Sequence, residues 1–317
     1  MFSMECFLAA RAKLSKLKKL EVLGEGVYGV VFKAQNDVTG EIVAIKQIKD
    51  FGNDEAGIAV TTMREINALK YLRHHNVIQL KDVLCAGYKS FFMVFEYFGI
   101  DLKLYLTRVP CKPDEMLVKS YTKQLMEALA FIHSNRVMHR DVKPQNVLVD
   151  SEGNLKLADF GLCRQFTMPM KNYTNKIVSL WYRAPEILFG STMYGPKVDI
   201  WGAGCVMAEI IDFQTLFDGV SEIEQINKIC KVLGNPDEGN PMLGCYDFIN
   251  FKASQFEVYN NTKGLDALIK FHSQEQLKFL ESIIVFNPLI RKSAMECLRM
   301  DYLKNVEKVL PVQWCFN

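Results

Sequence analysis

His139-Arg140-Asp141-Val142-Lys143-Pro144-Gln145-Asn146, followed by Asp159-Phe160-Gly161, is the part of the chain from which the rest is read. Asp141 and Asn146 flank Lys143 and Pro144 in a short loop that follows a helical segment. Asn146 and Asp159 offer the hard oxygen ligands that Mg²⁺ prefers, in sites that substrate phosphates usually complete. Asp141 is a carboxylate able to orient an attacking hydroxyl or to accept its proton. Trp181 to Glu186 (WYRAPE) comes after an intervening segment and forms the next fixed point.

Working towards the N-terminus, Gly24 to Gly29 (GEGVYG) is a GxGxxG. A dinucleotide-binding turn needs a strand, the glycines and then a helix. Here the glycines lie between two strand-like runs, Leu17–Leu23 and Val30–Ala34, so that reading fails on context. A glycine hairpin can instead bring its backbone N–H groups close to phosphates, because no Cβ intervenes. The next strand, Ile42 to Ile48, contains Val43-Ala44-Ile45-Lys46. A lysine among such apolar neighbours is either expelled to solvent on an edge strand or kept beside a carboxylate and an anion. Glu65 is the candidate carboxylate, on a helix over Thr61–Leu72 whose Met63, Ile66, Leu69 and Leu72 recur at helical spacing.

Val77–Leu84 and Ser90–Glu96 return to strand character, and the texture changes after Phe98. Val118, Tyr121, Leu125, Ala128, Leu129 and Ile132 share one face of a helix over Met116–His133. Pro196–Ile211 is apolar on nearly every side, which predicts a buried central helix despite Gly202 and Gly204. Ser221 and Glu224 read as a capping box for a helix that closes at Gly234. A strand-rich small part is thus followed by a larger helical part, with the seam near Phe98, and ligand sites favour such seams.

The 317 residues carry 38 Lys and Arg against 36 Asp and Glu, a net charge of +2, so generic binding to nucleic acid is not expected. With 49% hydrophobic and 23% charged residues, the chain has material for a core and does not read as disordered. Its 9 cysteines form no CxxC, which excludes a zinc ribbon and points to reduced thiols in the cytoplasm or nucleus. No apolar run is long enough to span a membrane, and the N-terminus lacks the basic region of a secretory signal. RAKLSKLKKL (residues 11–20) reads as a short solvated helix or the lead-in to a strand.

Taken together and in order, these motifs resemble those of eukaryotic protein kinases. The resemblance implies an α+β, two-lobed fold: an N-terminal extension (1–19), a kinase domain (20–303) and a short tail (304–317). Within the domain, an antiparallel sheet with one helix (20–97) precedes a mainly helical lobe (98–303), with ATP between them. It implies that Lys46 holds the α/β-phosphates and pairs with Glu65, and that Asn146 and Asp159 hold Mg²⁺. Asp141 is then the catalytic base and Lys143 steadies the γ-phosphate. The nucleotide site would comprise Gly24, Glu25, Gly26, Tyr28 and Gly29, the adenine-flanking Val31, Ala44 and Leu148, Phe95 as gatekeeper, the hinge at Glu96 and Phe98, and Asp101. Leu69, Leu80, His139 and Phe160 would form an internal spine with Asp199 beneath, and Glu186 would pair with Arg291. With all five ion and base positions filled, a catalytically dead binding scaffold is disfavoured.

GEGVYGVVFKA, HRDVKPQN, LADFGL and LWYRAPEIL are similar to stretches of cyclin-dependent kinases. That narrower resemblance implies transfer of phosphate to Ser or Thr of protein substrates and a cyclin-like partner seated on the TTMREI helix. AVTTMRE is far from that family's usual helix sequence, so the resemblance does not name the cyclin. It also implies activation by phosphorylation of Thr174, whose phosphate Arg64, Arg140 and Arg164 would gather. Without a partner, Glu65 is expected to be swung away from Lys46. Val178, Ser179 and Arg183 imply a preference for proline after the phosphoacceptor, with Ser179 contacting Lys143 and Asp141. Tyr28 offers an inhibitory phosphorylation site in the glycine hairpin, where Val27 offers no hydroxyl.

Overall fold

The structure, a computed structural model, describes residues 4–26, 29–48, 60–86, 91–166, 179–235, 259 and 262–316. The chain divides into two compact units, Met1–Gly99 with Asp159–Gly161, and Ile100–Ala158 with Leu162–Asn317. Together they give the α+β kinase architecture, an antiparallel-sheet unit and a mainly helical unit.

The first unit opens with helix α1 (Met4–Leu14) and continues through strands β1 (Leu17–Gly26), β2 (Gly29–Asn36) and β3 (Ile42–Ile48). Helix α2 (Val60–Tyr71) and strands β4 (Leu80–Cys85) and β5 (Phe91–Glu96) follow. The five strands form one antiparallel sheet in the order β1-β2-β3-β5-β4. The β2–β3 turn is made by Asn36, whose Oδ1 accepts from the N–H groups of Val38 and Thr39, and by Gly40 in the left-handed region at φ +73. Strand β4 begins later than the Val77 expected from composition, because His74–Asn76 form a turn before it.

Alternation along β3 divides its side chains between two faces. Val43 and Ile45 join Ala34, Leu84 and Val94 in a core that Ala10 of α1 completes. Ala44 and Lys46 take the other parity. Residues 11–20 end α1 and begin β1, exposed apart from half-buried Leu14 and Leu17, as expected, while the part of α1 before them packs inward. Phe7 and Ala10 are buried, Arg11 Nε donates to Ala86 O at 3.0 Å, and Lys13 pairs with Asp82 at 2.6 Å. Lys46 is not on an edge: β3 is the central strand, hydrogen-bonded on both sides.

The second unit runs β6 (Ile100–Asp101), α3 (Leu102–Arg108), α4 (Glu115–Ser134), β7 (Val137–Met138), β8 (Val147–Val149), β9 (Leu155–Leu157), β10 (Arg164–Gln165), α5 (Pro185–Leu188), α6 (Lys197–Asp212), α7 (Glu222–Leu233), α8 (Gln274–Glu281) and α9 (Ala294–Leu298). Asp114 caps α4 by accepting from Leu117 N at 2.8 Å, and the predicted face of α4 is the buried one. Every residue of α6 from Val198 to Ile211 is buried. Its glycines have packing reasons: a Cβ at Gly202 would lie 2.9 Å from Val142 O, and one at Gly204 would lie 2.6 Å from Ile284 Cδ1. Close approach thus offsets their propensity cost of ~1 kcal/mol each.

Helix α7 is capped by Ser221 Oγ, which accepts from Glu224 N at 3.2 Å. The reciprocal half of the expected box is shifted by one residue, since the Glu224 carboxylate accepts from Val220 N instead of Ser221 N. The complete capping box lies in α9, between Ser293 and Glu296.

Candidate active site

In the first unit the chemistry gathers around Lys46. Its Nζ lies 2.8 Å from Glu65 Oε2, 3.0 Å from Glu65 Oε1 and 3.3 Å from Asp159 Oδ1. Helix α2 buries Ile66 and Leu69, Leu72 just beyond it is buried too, and Glu65 is only 2% exposed. A buried carboxylate of this kind is tolerated when a cation saturates it. Burial by itself would lower the lysine pKa. The Glu65 and Asp159 carboxylates outweigh it, so Lys46 titrates above the ordinary lysine range and stays charged. The expectation that Glu65 is swung away in the lone chain is therefore not met: the pair is closed. Asp159 sits at φ +60, a conformation that costs a non-glycine residue roughly 1–3 kcal/mol and that clusters at functional sites.

In the second unit the loop from His139 to Asn146 is held from below by Asp199. The Asp199 carboxylate accepts from His139 N at 2.8 Å, Arg140 N at 2.7 Å and His133 Nε2 at 2.8 Å. These bonds hold Arg140 at φ +68. Above this anchor, Asp141 Oδ2 lies 2.7 Å from Lys143 Nζ and accepts from Asn146 Nδ2 at 2.9 Å. Asn146 Nδ2 also donates to Asp141 O at 2.8 Å. Ser179 closes the group: its Oγ accepts from Lys143 Nζ at 3.0 Å, and its N–H donates to Asp141 Oδ1 at 3.3 Å. The sequence reading of Ser179 beside Lys143 and Asp141 matches this geometry.

The remaining expected residues fall as follows. Val31 and Lys46 are register partners on β2 and β3, and Val31 and Ala44 are half-buried. Gly24 and Glu25 are exposed on β1, while Gly29 opens β2, where a Cβ would meet Gln47 O at 2.2 Å. Phe95 is buried, Phe98 half-buried, and the Glu96 N–H donates to Gln79 O at 3.1 Å. In the second unit, Leu148 is half-buried on β8 and Asp101 Oδ1 caps α3 by accepting from Leu104 N at 2.9 Å. Arg140 Nε donates to Leu162 O at 2.8 Å and its Nη1 to Tyr194 OH at 2.8 Å. Burial raises the Tyr194 pKa, and both Arg140 and Arg164 oppose the rise, so the two arginines share the Tyr194 environment. Arg64 is half-buried on α2 of the first unit. Gly26 ends β1, while Val27, Tyr28, Thr174 and Val178 lie outside the described residues. Glu186 and Arg291 form the expected buried pair, at 2.8 and 3.0 Å.

Sequence reasoning missed three supporting residues in the helical unit. His133 props Asp199, and Tyr194 receives Arg140. Glu209, fully buried, takes Tyr182 OH at 2.7 Å and Lys103 Nζ at 2.6 Å, fixing the backbone next to Arg183. Each is far from its partner in sequence, so no local pattern joins the two.

A model of the protein kinase domain matches residues 17–303. The chain belongs to the protein kinase family. A kinase moves the γ-phosphoryl of ATP to a protein hydroxyl, with magnesium offsetting the phosphate charge. The donor set of this kinase fits that ion. Asn146 spends Nδ2 on Asp141, which leaves its amide oxygen for a cation, and Asp159 keeps a carboxylate 43% exposed. Each by itself is a hard oxygen of the kind Mg²⁺ takes, the amide in the second unit and the carboxylate in the first. Among the described residues no helix is long and apolar enough to cross a membrane.

The Asp199 anchor carries a test of its own. Burial would raise this carboxyl, but hydrogen bonds from His133 and the Arg140 backbone hold it below the ordinary aspartate value of 3.8. A depressed folded pKa contributes stability above the unfolded value and loses it as pH falls through the folded one. Asp199→Asn removes one of two acceptor oxygens and turns an NH₂ towards a backbone N–H, an expected cost of ~1–3 kcal/mol at neutral pH. Urea unfolding at pH 7 and below pH ~4 checks it, because the gap between variant and wild type narrows as acid removes the wild-type advantage.

Proposed function

We propose that this kinase phosphorylates Ser and Thr followed by proline, is of the cyclin-dependent type, works with a cyclin-like partner on α2, and is switched on by a phosphate at Thr174. The observation that carries the reading is the Asp141–Lys143–Ser179 group. It ties the substrate-side segment, which continues through Trp181 and Arg183, to the carboxylate that receives the hydroxyl proton. Trp181 Nε1 donates to Gly219 O at 3.1 Å, and Arg183 pairs with Glu222, so this segment is braced against the start of α7.

The residues then divide the work. Lys46, held charged by Glu65, grips the α/β-phosphates, and Asn146 and Asp159 would hold the magnesium, which would offset the phosphate charge. Lys143 lies beside Asp141 with its charge available to the transferred group. Asp141 orients the substrate hydroxyl through the oxygen facing Ser179 and accepts its proton. A proline after the phosphoacceptor is favoured where the backbone at Val178 offers its N–H no acceptor, since proline has none to leave unsatisfied. The dispersed cysteines support a cytoplasmic or nuclear setting. A second reading, a kinase of the same group that needs no partner, is favoured by the closed Lys46–Glu65 pair of the lone chain.

One experiment separates these readings. Wild type, phosphorylated and dephosphorylated, and Thr174→Ala are assayed with Mg²⁺-ATP on Ser, Thr and Tyr peptides with proline or alanine following. Each is run alone and with candidate cyclin-like subunits. The expected result is phosphorylation of Ser-Pro and Thr-Pro peptides that needs both partner and phosphate, with Thr174→Ala low throughout. Full activity of the dephosphorylated lone chain overturns the partner and switch, and indifference to proline overturns the specificity.

A further inference from the structure

The last described residues lie beyond the kinase match, which stops at 303, yet they are woven into the helical unit. Lys123 Nζ of α4 donates to Val306 O at 3.0 Å, and Val309 N donates to Ser120 Oγ at 3.4 Å. Further on, Val312 N donates to Tyr105 OH at 3.3 Å and Arg108 Nη1 to Cys315 O at 2.7 Å. Phe316 stacks on Tyr105 with ring centroids 5.5 Å apart, and Cys315 is fully buried. These contacts run along α3 and α4.

A second set grips the turn that joins β8 to β9. Lys308 Nζ donates to Asn154 Oδ1 at 3.1 Å, and Gln313 Nε2 donates to Ser151 O at 2.7 Å. Gly153, at φ +78, lies so close to the tail that a Cβ there would stand 2.1 Å from Val309 O. The turn is fastened on its other side by Gln124, whose Nε2 donates to Gly153 O at 2.9 Å and whose Oε1 accepts from Leu155 N at 2.8 Å. At the opposite end of this hairpin, Ala158 N donates to Asn146 O at 2.8 Å. The hairpin is only three residue pairs long. Its turn is clamped between α4 and the tail, and its base is Asn146.

We propose that residues 306–316 form a clasp that holds the β8–β9 hairpin and so positions Asn146 for the magnesium ion. The tail residues are positioning residues: they touch neither substrate nor metal and act through the hairpin. So short a ladder has little cooperativity of its own, and what secures its turn sets how far its base can stray. Groups one step behind a metal ligand typically change metal affinity by 10–100-fold, so loosening the clasp is expected to fall near the lower end, about tenfold. The clasp itself is independent of function; its effect on magnesium rests on the kinase reading of Asn146.

The test loosens the tail where it does not touch the hairpin. Arg108→Ala with Phe316→Ala frees the end of the tail in the full chain, and Phe316→Ala alone serves if that pair fails to fold. Amide hydrogen exchange without nucleotide is read at Asp150, Gly153, Asn154, Leu155 and Ala158. Mg²⁺ titrations of ATP-dependent activity give the half-saturating concentration and kcat. The expected result is faster exchange across the hairpin by about tenfold or more, with a raised Mg²⁺ requirement and kcat at saturating Mg²⁺ nearly unchanged. Faster exchange confined to the tail overturns the clasp. Faster hairpin exchange or a lower Tm with an unchanged Mg²⁺ requirement reduces the tail to a stabilising element and overturns the positioning role. Asn146→Ala, run in parallel, distinguishes the two failures: if it keeps wild-type Mg²⁺ dependence, the metal assignment falls while the exchange result still judges the clasp.

Discussion

Asp141→Asn is expected to lower phosphoryl transfer by roughly 10²–10⁴-fold, the range of a lost general base, without unfolding the kinase. The side chain is in the interior of a bonded group: Oδ2 meets Lys143 Nζ at 2.7 Å and Asn146 Nδ2 at 2.9 Å, and Oδ1 faces Ser179 N at 3.3 Å. All three partners are donors. An amide keeps the volume but supplies a single acceptor oxygen, so whichever way it turns, its NH₂ meets a donor. The loss therefore has two parts, the missing proton acceptor and a disturbed Ser179 segment, and both act on turnover. Nucleotide binding is a separate matter, because the phosphate-gripping Lys46 is held within the first unit by Glu65 and Asp159. Thermal shift with Mg²⁺-ATP should consequently be close to wild type while kcat collapses. A variant whose kcat stays within a few-fold of wild type would remove Asp141 from the catalytic role.

Much of this site was legible in the sequence, for a definable reason. Motifs such as HRDVKPQN and DFG keep their chemistry within a few consecutive residues, so the loop that carries Asp141 and Asn146 could be read directly. Lys46 was harder, because a lysine on an apolar strand has two opposite meanings. Only the position of β3 at the sheet centre, with Glu65 packed beneath, decides between them. Glu65 was legible as the partner of Lys46, but the closed state of the pair in the lone chain was not, since a helix can carry a glutamate towards or away from the same lysine without any change in its periodicity. The exposed residues 11–20 were legible from their lysines, but the buried start of α1 was not, because Phe7 and Ala10 are too few to impose a hydrophobic period. The tail was read merely as an appendage, because most of its contacts use backbone carbonyls and N–H groups that leave no mark in composition.

The largest effect on stability is expected at Arg291, a fully buried guanidinium. Its Nη1 and Nη2 grip Glu186 Oε1 and Oε2 at 2.8 and 3.0 Å, and Nη1 also donates to Lys197 O at 2.8 Å. Nη2 further reaches Val285 O at 3.0 Å, and the guanidinium stands 5.2 Å from the centre of the Trp201 ring. One side chain thus joins the WYRAPE segment, the start of α6 and the stretch before α9. Removing one partner from a buried ion pair leaves the other charge stranded, at a cost of about 3–5 kcal/mol. For Arg291→Ala this adds a cavity and orphans several carbonyls, so the upper end of that range is expected, with Tm lowered by roughly 5–15 °C. Glu186→Gln should cost less, because an amide oxygen still accepts one of the two hydrogen bonds. The pair itself need not be stabilising relative to well-packed apolar groups. Glu186→Leu combined with Arg291→Met is therefore expected to recover part of the loss seen in either charge-stranding variant. Urea denaturation of the set separates the possibilities: if the double variant is as unstable as the sum of its singles, the cost lies in lost packing and orphaned carbonyls, and the stranded-charge account fails.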